Sequence, residues 1–397
     1  MLLSNEKIDK IAGPSVLFIG PYPPPYSGPE LGMKLLLESK LKEKFNIHFL
    51  KTNFRKTNVD KGKFDLRMVI AFFRFLFFLI PKLILYKPAL VYYPITPTQI
   101  GWVGRDIWCL LICRLFNKKC IIHLRGGHLR LNLQAFHPLV RAIVGYSCKY
   151  VSLALVQAEC LRDQFENLVR PNKVEVLYNA IETKEFENQN KNEYERSNIL
   201  YMGHMTQAKG YCDLVRAIPM VARKYPDVKF FFAGNMRKGE RGVFFDQITG
   251  QKLKYEDPFK IEEEIVSSDY KKNYVKLGIV QGDEKKALLA KANIFVLPSY
   301  SEGFSRAVLE ALSMGKPVIC TPVGAHKEVI KDGINGFLVK PGDVEHLAER
   351  IMILLEDVEL RNRMGVANYW YARKLFDKEM VAAQMGNYME RIMNEPN

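Results

Sequence analysis

Two glutamates eight positions apart, Glu302 and Glu310, enclose the run GFSRAVL. Ionised carboxylates only accept hydrogen bonds, so a pair of this kind suits a ligand rich in hydroxyl groups. Between them a helix is expected to begin near Ser305, after the apolar run Ile294 to Leu297 and the loop opened by Pro298. The first turn of a helix leaves backbone N–H groups without partners, and those of Ser305 to Ala307 therefore form a site for phosphate. Glu302 before that site and Glu310 about a turn and a half into the helix would bracket a bound nucleotide sugar from opposite ends. Taken singly, a Glu ahead of a helix is more often a cap and one within it a solvated face.

Such residues need strands and helices to hold them, and the chain supplies these in alternation. Ser15 to Gly20 is a β-branched and aromatic run ending in PYPPPYSGPELG, and a helix is expected from Glu30 to Lys44. Strands at Asn46–Leu50, Ala89–Tyr93, Cys120–Leu124, Val151–Leu155 and Val174–Leu177 alternate with helical stretches at 67–86, 104–116 and 158–165. The segment 182–196 is polar and without period, which marks a linker. A second series follows, with strands at 199–202, 228–233, 294–297 and 317–320 and helices at 211–224, 285–291, 306–314 and beyond Asp343. Strand–helix alternation at short spacing implies parallel sheets covered on both faces. The expected architecture is α/β, two doubly wound Rossmann-like domains facing across a cleft at the carboxyl ends of their strands. The domains expected are 1–180 and 181–375, with a C-terminal helix at 376–397 packing back on the first. A polar excursion between Ala233 and Val275 exceeds an ordinary connection and reads as a lid or partner surface.

Charge separates the halves. Residues 1–180 carry 26 basic and 12 acidic side chains, against 32 and 31 in residues 181–397, so the excess of +15 belongs almost wholly to the first half. An anionic partner is expected there. The apolar stretch from Met68 to Tyr86 is interrupted by Arg74, Pro81 and Lys82, too often for the roughly 20 apolar residues that span a bilayer. Lys63, Arg67 and Arg74 form a narrow basic stripe on it, the pattern of a helix lying in a membrane interface, with Phe72, Phe77 and Phe78 as its apolar tips. A helix packed on a sheet with its basic tips reaching solvent fits equally well. The seven cysteines form no CxxC pair, and the opening MLLSNEKIDK lacks an apolar signal stretch, so a cytoplasmic protein is expected. No GxGxxG, P-loop, GxSxG or Asp-X-Asp motif is present, which removes the main support for a dehydrogenase, a P-loop nucleotidase, an α/β-hydrolase and a metal-dependent sugar transferase.

The stretch from Glu302 through EALSMGKPVICTPVGAHKEVI to DGINGFLVKPGD resembles the E-X7-E signature of retaining glycosyltransferases of family 4, which have the GT-B fold. The resemblance implies that Glu310 binds the ribose hydroxyls and Glu302 the donor sugar, while the backbone of Gly303, Phe304, Ser305, Arg306 and Ala307 receives the diphosphate. YMGHMTQAKGYCDL, residues 201–214, is similar to the family's first strand-to-loop turn. There Lys209, between Gly203 and Gly210, would neutralise the leaving phosphates. His204 stands where the family often has Arg, so the bidentate fork is lost and Arg306 or a neighbour must substitute. In the first half, PYPPPYSGPELG is similar to the family's glycine loop, with Gly28 as the residue that lets a ligand approach. IIHLRGGHLR resembles the strand and loop that carry an active-site His, but Arg125 occupies that position, with His123 and His128 on either side. Glu302, His128 in the glycine loop and Arg125 are the candidates for catalysis, with gripping an acceptor phosphate as the alternative role of Arg125. VLYNAIE resembles the family's hinge, with Asn179 as a turn residue.

The implied activity is retaining transfer of a hexose from a UDP- or GDP-sugar to a saccharide, lipid-linked in surface polysaccharide or glycolipid synthesis, with no cofactor and no metal. The expected partners are that donor, that acceptor and an anionic membrane face to which the protein is peripheral, and not nucleic acid. The rivals are a GT-B epimerase or phosphorylase, and a basic nucleic-acid-binding protein, for which the first half lacks a recognition module.

Overall fold

The structure, a computed structural model, describes residues 13–24, 26–52, 66–187, 197–237 and 246–396. Two compact units divide the chain. The first comprises Met1–Gln157, Arg162–Ala180 and Lys378–Asn397, and the second Ala158–Leu161 and Ile181–Asp377. The C-terminal helix Lys378–Asn394 is therefore part of the first unit, with Met385 and Met389 fully buried in a core shared with Phe18, Leu41 and Phe45.

In the first unit β1 (Ser15–Gly20), β2 (Asn46–Lys51), β3 (Leu90–Ile95), β4 (Lys119–Leu124), β5 (Leu153–Val156) and β6 (Val174–Val176) form one sheet in the order β2-β1-β3-β4-β5-β6. Every pairing is parallel. Strands covered on both faces read as continuous apolar runs, and Val16 to Ile19 and Leu90 to Tyr93 are indeed wholly buried. The order reverses between β1 and β3, paired as Val16 with Leu90 and Phe18 with Tyr92. The loops at such a switch point diverge and leave room for a ligand.

The second unit repeats the design with β7 (Asn198–Met202), β8 (Lys229–Ala233), β9 (Tyr274–Gly278), β10 (Ile294–Leu297), β11 (Val318–Cys320) and β12 (Gly336–Leu338), in the order β12-β11-β10-β7-β8-β9. Its switch point lies between β7 and β10, paired as Ile199 with Ile294 and Leu200 with Phe295. Each unit is thus a doubly wound α/β layer structure, and two such units make the GT-B fold.

Four local expectations change. The helix expected over Glu30 to Lys44 is two, Gly28–Leu37 and Leu41–Lys44. Ser39 divides them, because its hydroxyl donates to Leu36 O (2.7 Å) and accepts from Leu41 N (3.3 Å), competing with the helical ladder. The helix expected at 158–165 is a 3-10 segment, Glu159–Phe165, whose opening amides at Glu159 and Cys160 are taken by the Glu328 carboxylate. Two edge strands, β9 and β12, were not expected at all. Within the polar excursion lies the helix Pro258–Val266, capped by Asp257 accepting from Phe259 N at 3.1 Å.

The Leu66–Tyr86 helix is apolar on two sides. Phe75, Leu79 and Leu83 are buried, whereas Phe73, Phe77, Ile84 and Leu85 are 62%, 72%, 56% and 72% exposed. Of the stripe and tips named from sequence, Lys63 and the side chains of Arg67 and Phe72 lie outside the described residues, and Phe78 is half-buried. Among the described residues, no helix is long and apolar enough to cross a membrane.

Candidate functional site

At the switch point of the second unit, two loops are held together by a glycine. Gly210 has φ +68°, and a Cβ there would lie 2.0 Å from Pro298 O. Only glycine allows both the left-handed backbone and that approach. The loop after β7 therefore lies against the loop after β10, with Tyr300 N donating to Ala208 O at 3.0 Å. This brings Lys209 to Glu302, Nζ to Oε1 2.8 Å. The Glu302 side chain is 10% exposed, so water does little to neutralise it. Burial would raise its carboxyl, but the charge of Lys209, with the Ser299 hydroxyl at 3.0 Å, outweighs burial and holds it below the usual carboxylate range. His326 is fully buried, and burial keeps its ring neutral against the pull of Glu302.

Ser305 ends the loop as the N-cap of the helix Arg306–Ser313, and no side chain caps that end. The helix buries Val308, Leu309 and Leu312 and turns Glu310 inward, 4% exposed at the side chain. Lys285, from the helix Gly282–Lys291, meets Glu310 Oε1 at 2.6 Å, and Arg306 Nε lies 3.3 Å from the same atom. Each glutamate thus carries its own lysine, on either side of an uncapped helix N-terminus. Gly303 and Phe304 complete the loop: Gly303 O accepts from Ala325 N at 2.8 Å, and the Phe304 ring packs edge-on to Phe376, centroids 5.3 Å apart. The half-buried Ala307 opens the helix's first turn.

Gly203 follows β7, its N–H donating to Ala233 O at 2.9 Å. The His204 carbonyl accepts from the Tyr201 hydroxyl at 2.7 Å. Partial burial, with Arg237 and Lys209 nearby, lowers the His204 imidazole from its ordinary value, so it is neutral at pH 7. Arg237, whose N–H reaches Met205 O at 3.4 Å, brings beside His204 the cation that His204 lacks. Arg306, considered for that duty from sequence, instead adjoins Glu310.

Sequence reasoning missed Lys285, Arg237, Ser299 and His326. Lys285 lies one turn into a helix in the run DEKKALLAK, where nothing local distinguishes it from its neighbour Lys286. Among the described residues, no group of three or more His, Cys, Asp and Glu is arranged to hold a metal ion.

In the first unit, Gly28 opens the helix Gly28–Leu37, and a Cβ there would meet nothing within 4 Å. Arg125 follows β4. Its guanidinium fills the space over Gly32, where a Cβ would come within 1.8 Å of an NH group, and donates to the Tyr92 hydroxyl at 3.3 Å. Tyr92 in turn meets His123 Nδ1 at 2.7 Å. His123 is buried, and burial first, then Arg125, pushes its ring well below the usual histidine range. It is a neutral core residue beneath Arg125. His128, half-buried, caps the helix Leu129–Gln134, its carbonyl accepting from Asn132 N at 3.0 Å. Further along, the Asn179 side chain accepts from Gln157 Nε2 at 2.6 Å.

Residues 182–369 match the family model described as "Glycosyl transferases group 1", and this span coincides with the second unit. That unit is a group 1 glycosyl transferase domain. An uncharacterized glycosyltransferase of Methanocaldococcus jannaschii is 28% identical over 244 residues, covering 58% of this chain and 57% of that protein. The capsular polysaccharide biosynthesis glycosyltransferase CapM of Staphylococcus aureus is 24% identical over 244 residues, 58% of each. The matched segments thus span little more than half of these relatives. Among solved structures, Anabaena HepE in complex with UDP aligns with a TM-score of 0.68 at 16% identity, over 95% of this chain and all of that one. HepE is also known in complex with UDP-glucose. At this identity the likeness establishes the fold.

Proposed function

We propose that this protein is a retaining, metal-independent glycosyltransferase that moves a hexose from a UDP- or GDP-sugar to a saccharide acceptor. The observation that carries the reading is the arrangement at the second switch point: two buried carboxylates, each with a lysine, on either side of an uncapped helix N-terminus. A nucleotide sugar has hydroxyl groups at its two ends and a diphosphate between, and the site offers acceptors at its ends and donors in the middle. Glu310 takes the ribose hydroxyls, Glu302 the sugar hydroxyls, and the amides of Ser305 to Ala307 the phosphates. Lys209 and Arg237 supply the positive potential that the leaving diphosphate needs as its charge develops. Neutral His204 contributes one hydrogen bond. That the relatives include a HepE complex with UDP-glucose and a capsular polysaccharide enzyme supports the same class of donor and product.

In the reaction, an acceptor hydroxyl oxygen bonds to the anomeric carbon as the bond from that carbon to the β-phosphate oxygen breaks. The electron pair leaves with the phosphate, and the same phosphate oxygen takes the hydroxyl proton on the face it departs from. No protein nucleophile is needed, and configuration is retained. In the first unit, Arg125 and His128, in the loop after β4, are assigned to the acceptor, as is the open space at Gly28. The acceptor is lipid-linked in this reading, and the protein is peripheral on an anionic leaflet. That part rests on the exposed Phe73, Phe77, Ile84 and Leu85 of the Leu66–Tyr86 helix, in the half of the chain that holds the positive charge.

The test is calorimetric titration with UDP, GDP, UDP-glucose and GDP-mannose in chelator, on the wild type and Glu310→Ala. One nucleotide series binds without metal, and the substitution weakens it at least about tenfold. Absence of binding by every one of them refutes the proposal.

A further inference from the structure

The seat of Glu302 has a third wall, contributed by the polar segment between β8 and β9. Its described part from Asp246 to Glu256 is an ordered element. Asp246, 8% exposed, ties a turn: its Oδ1 accepts from Ile248 N and Thr249 N at 2.7 and 3.1 Å, and its own N–H donates to Gln251 O at 2.9 Å. The segment is then fastened to both loops of the switch point. On the β7 side, the Gln207 side chain donates to Lys254 O (2.7 Å) and accepts from Glu256 N (3.0 Å), while Arg216 grips the Glu256 carboxylate with both NH groups (3.0 and 2.9 Å). On the β10 side, Gln247 N donates to Tyr300 O at 3.1 Å.

So placed, Gln247 presents its carboxamide to Glu302. Its Oε1 accepts from the Glu302 backbone N–H at 3.0 Å. A carboxamide has a donating end as well as an accepting one. Among the described residues, nothing in the protein accepts from Gln247 Nε2. The backbone N–H of Glu302 is thereby consumed, and an NH2 group is brought to the residue whose carboxylate pairs with Lys209. One group only accepts and its neighbour only donates, and this pair fits two adjacent oxygens of a sugar, one hydroxyl giving its proton to Glu302 and the next oxygen accepting from Gln247.

We infer that Gln247 is a specificity-determining residue that reads the donor sugar from outside the two main loops, selecting a hexose with adjacent oxygens at the positions facing Glu302 and Gln247. This rests on the second unit being a nucleotide-sugar site. A sugar lacking either oxygen leaves a polar group of the site unpaired, and sites built to pair a hydroxyl discriminate strongly against its absence.

The experiment compares, by calorimetry, the affinity for UDP and GDP alone with that for UDP-glucose, UDP-galactose, UDP-N-acetylglucosamine and GDP-mannose. It uses the wild type, Gln247→Ala and Gln247→Glu. The glutamate keeps the oxygen that holds Glu302 N and loses the donor, so it separates holding the loop from reading the sugar. For the sugar nucleotide that the wild type prefers, both variants lose about tenfold in affinity relative to the nucleotide alone, whose own affinity stays within about twofold. If Gln247→Glu keeps the full sugar increment while Gln247→Ala loses it, Gln247 only holds the loop and the inference falls. If both keep it, the inference falls as well. If the wild type binds no nucleotide at all, the donor-site reading has failed, and this inference with it.

Discussion

Replacing Lys209 by Met should reverse the pH dependence that Glu302 gives the fold. The pair is 2.8 Å apart, with side chains 28% and 10% exposed. Two unit charges near a protein surface attract by about 4 kcal/mol at about 4 Å, and removing one partner of a buried pair costs about 3–5 kcal/mol. The wild-type carboxyl lies below its ordinary value because Lys209 and its other neighbours outweigh burial. Its contribution to stability is therefore complete above about pH 4.3 and is lost only as pH falls through the lowered value. Without Lys209, burial dominates and the carboxyl rises above its unfolded value. The contribution then exists only in acid and is lost as pH rises through the raised value. Urea unfolding of Lys209→Met between pH 5 and 8 should show a loss, relative to the wild type at the same pH, of about 3 kcal/mol at pH 8 that shrinks toward pH 5. Glu302→Gln on the Lys209→Met background removes the unpaired charge and should recover most of the loss. A single variant within about 1 kcal/mol of wild type, with the wild-type pH slope, would refute the claim that this pair is desolvated and coupled.

His204→Arg restores a cation beside the diphosphate and should tighten UDP binding about fivefold at low salt, the gain shrinking as salt is raised. Burial raises Asp213 to about 6, against the help of the Tyr300 hydroxyl. The folded state therefore holds a proton that the unfolded state has released, and stability should fall as pH rises from about 4 to about 6, by at most about 3 kcal/mol. Asp213→Asn, read by urea midpoints over that range, should flatten the slope. Gly210→Ala places a methyl group 2.0 Å from Pro298 O at φ +68° and should lower stability by about 2 kcal/mol or more, measurable as a drop in Tm. Phe73→Ser with Phe77→Ser should weaken binding to anionic vesicles at least about tenfold while leaving UDP affinity unchanged, by flotation and calorimetry respectively.

What the sequence made legible follows from how local each determinant is. The strands from 294 to 297 and from 199 to 202 are fully buried in a parallel sheet, so their apolar runs are uninterrupted and end where the loops begin. The two outermost strands of the second sheet carry no such run: β12 is only Gly336–Leu338, and in β9, YVKLG, only Tyr274 is buried. The helix Pro258–Val266 did leave a trace, since Asp257 before Pro258 is a cap followed by a first-turn proline, and Ile261 and Ile265 are one turn apart. Glu302 and Glu310 were readable because their spacing and the helix start between them lie within one short stretch. Their partners were not. Lys285 and Lys209 reach them through the crossing of separate elements, 25 and 93 positions away in sequence. The Gln247 contact is less legible still, since it joins Glu302 across 55 positions from a segment with neither helical nor strand period. A carboxylate can be placed by its own helix, but its charge is set by whatever the topology carries to it. The chemistry of this site therefore depends on the switch point, where loops distant in sequence converge.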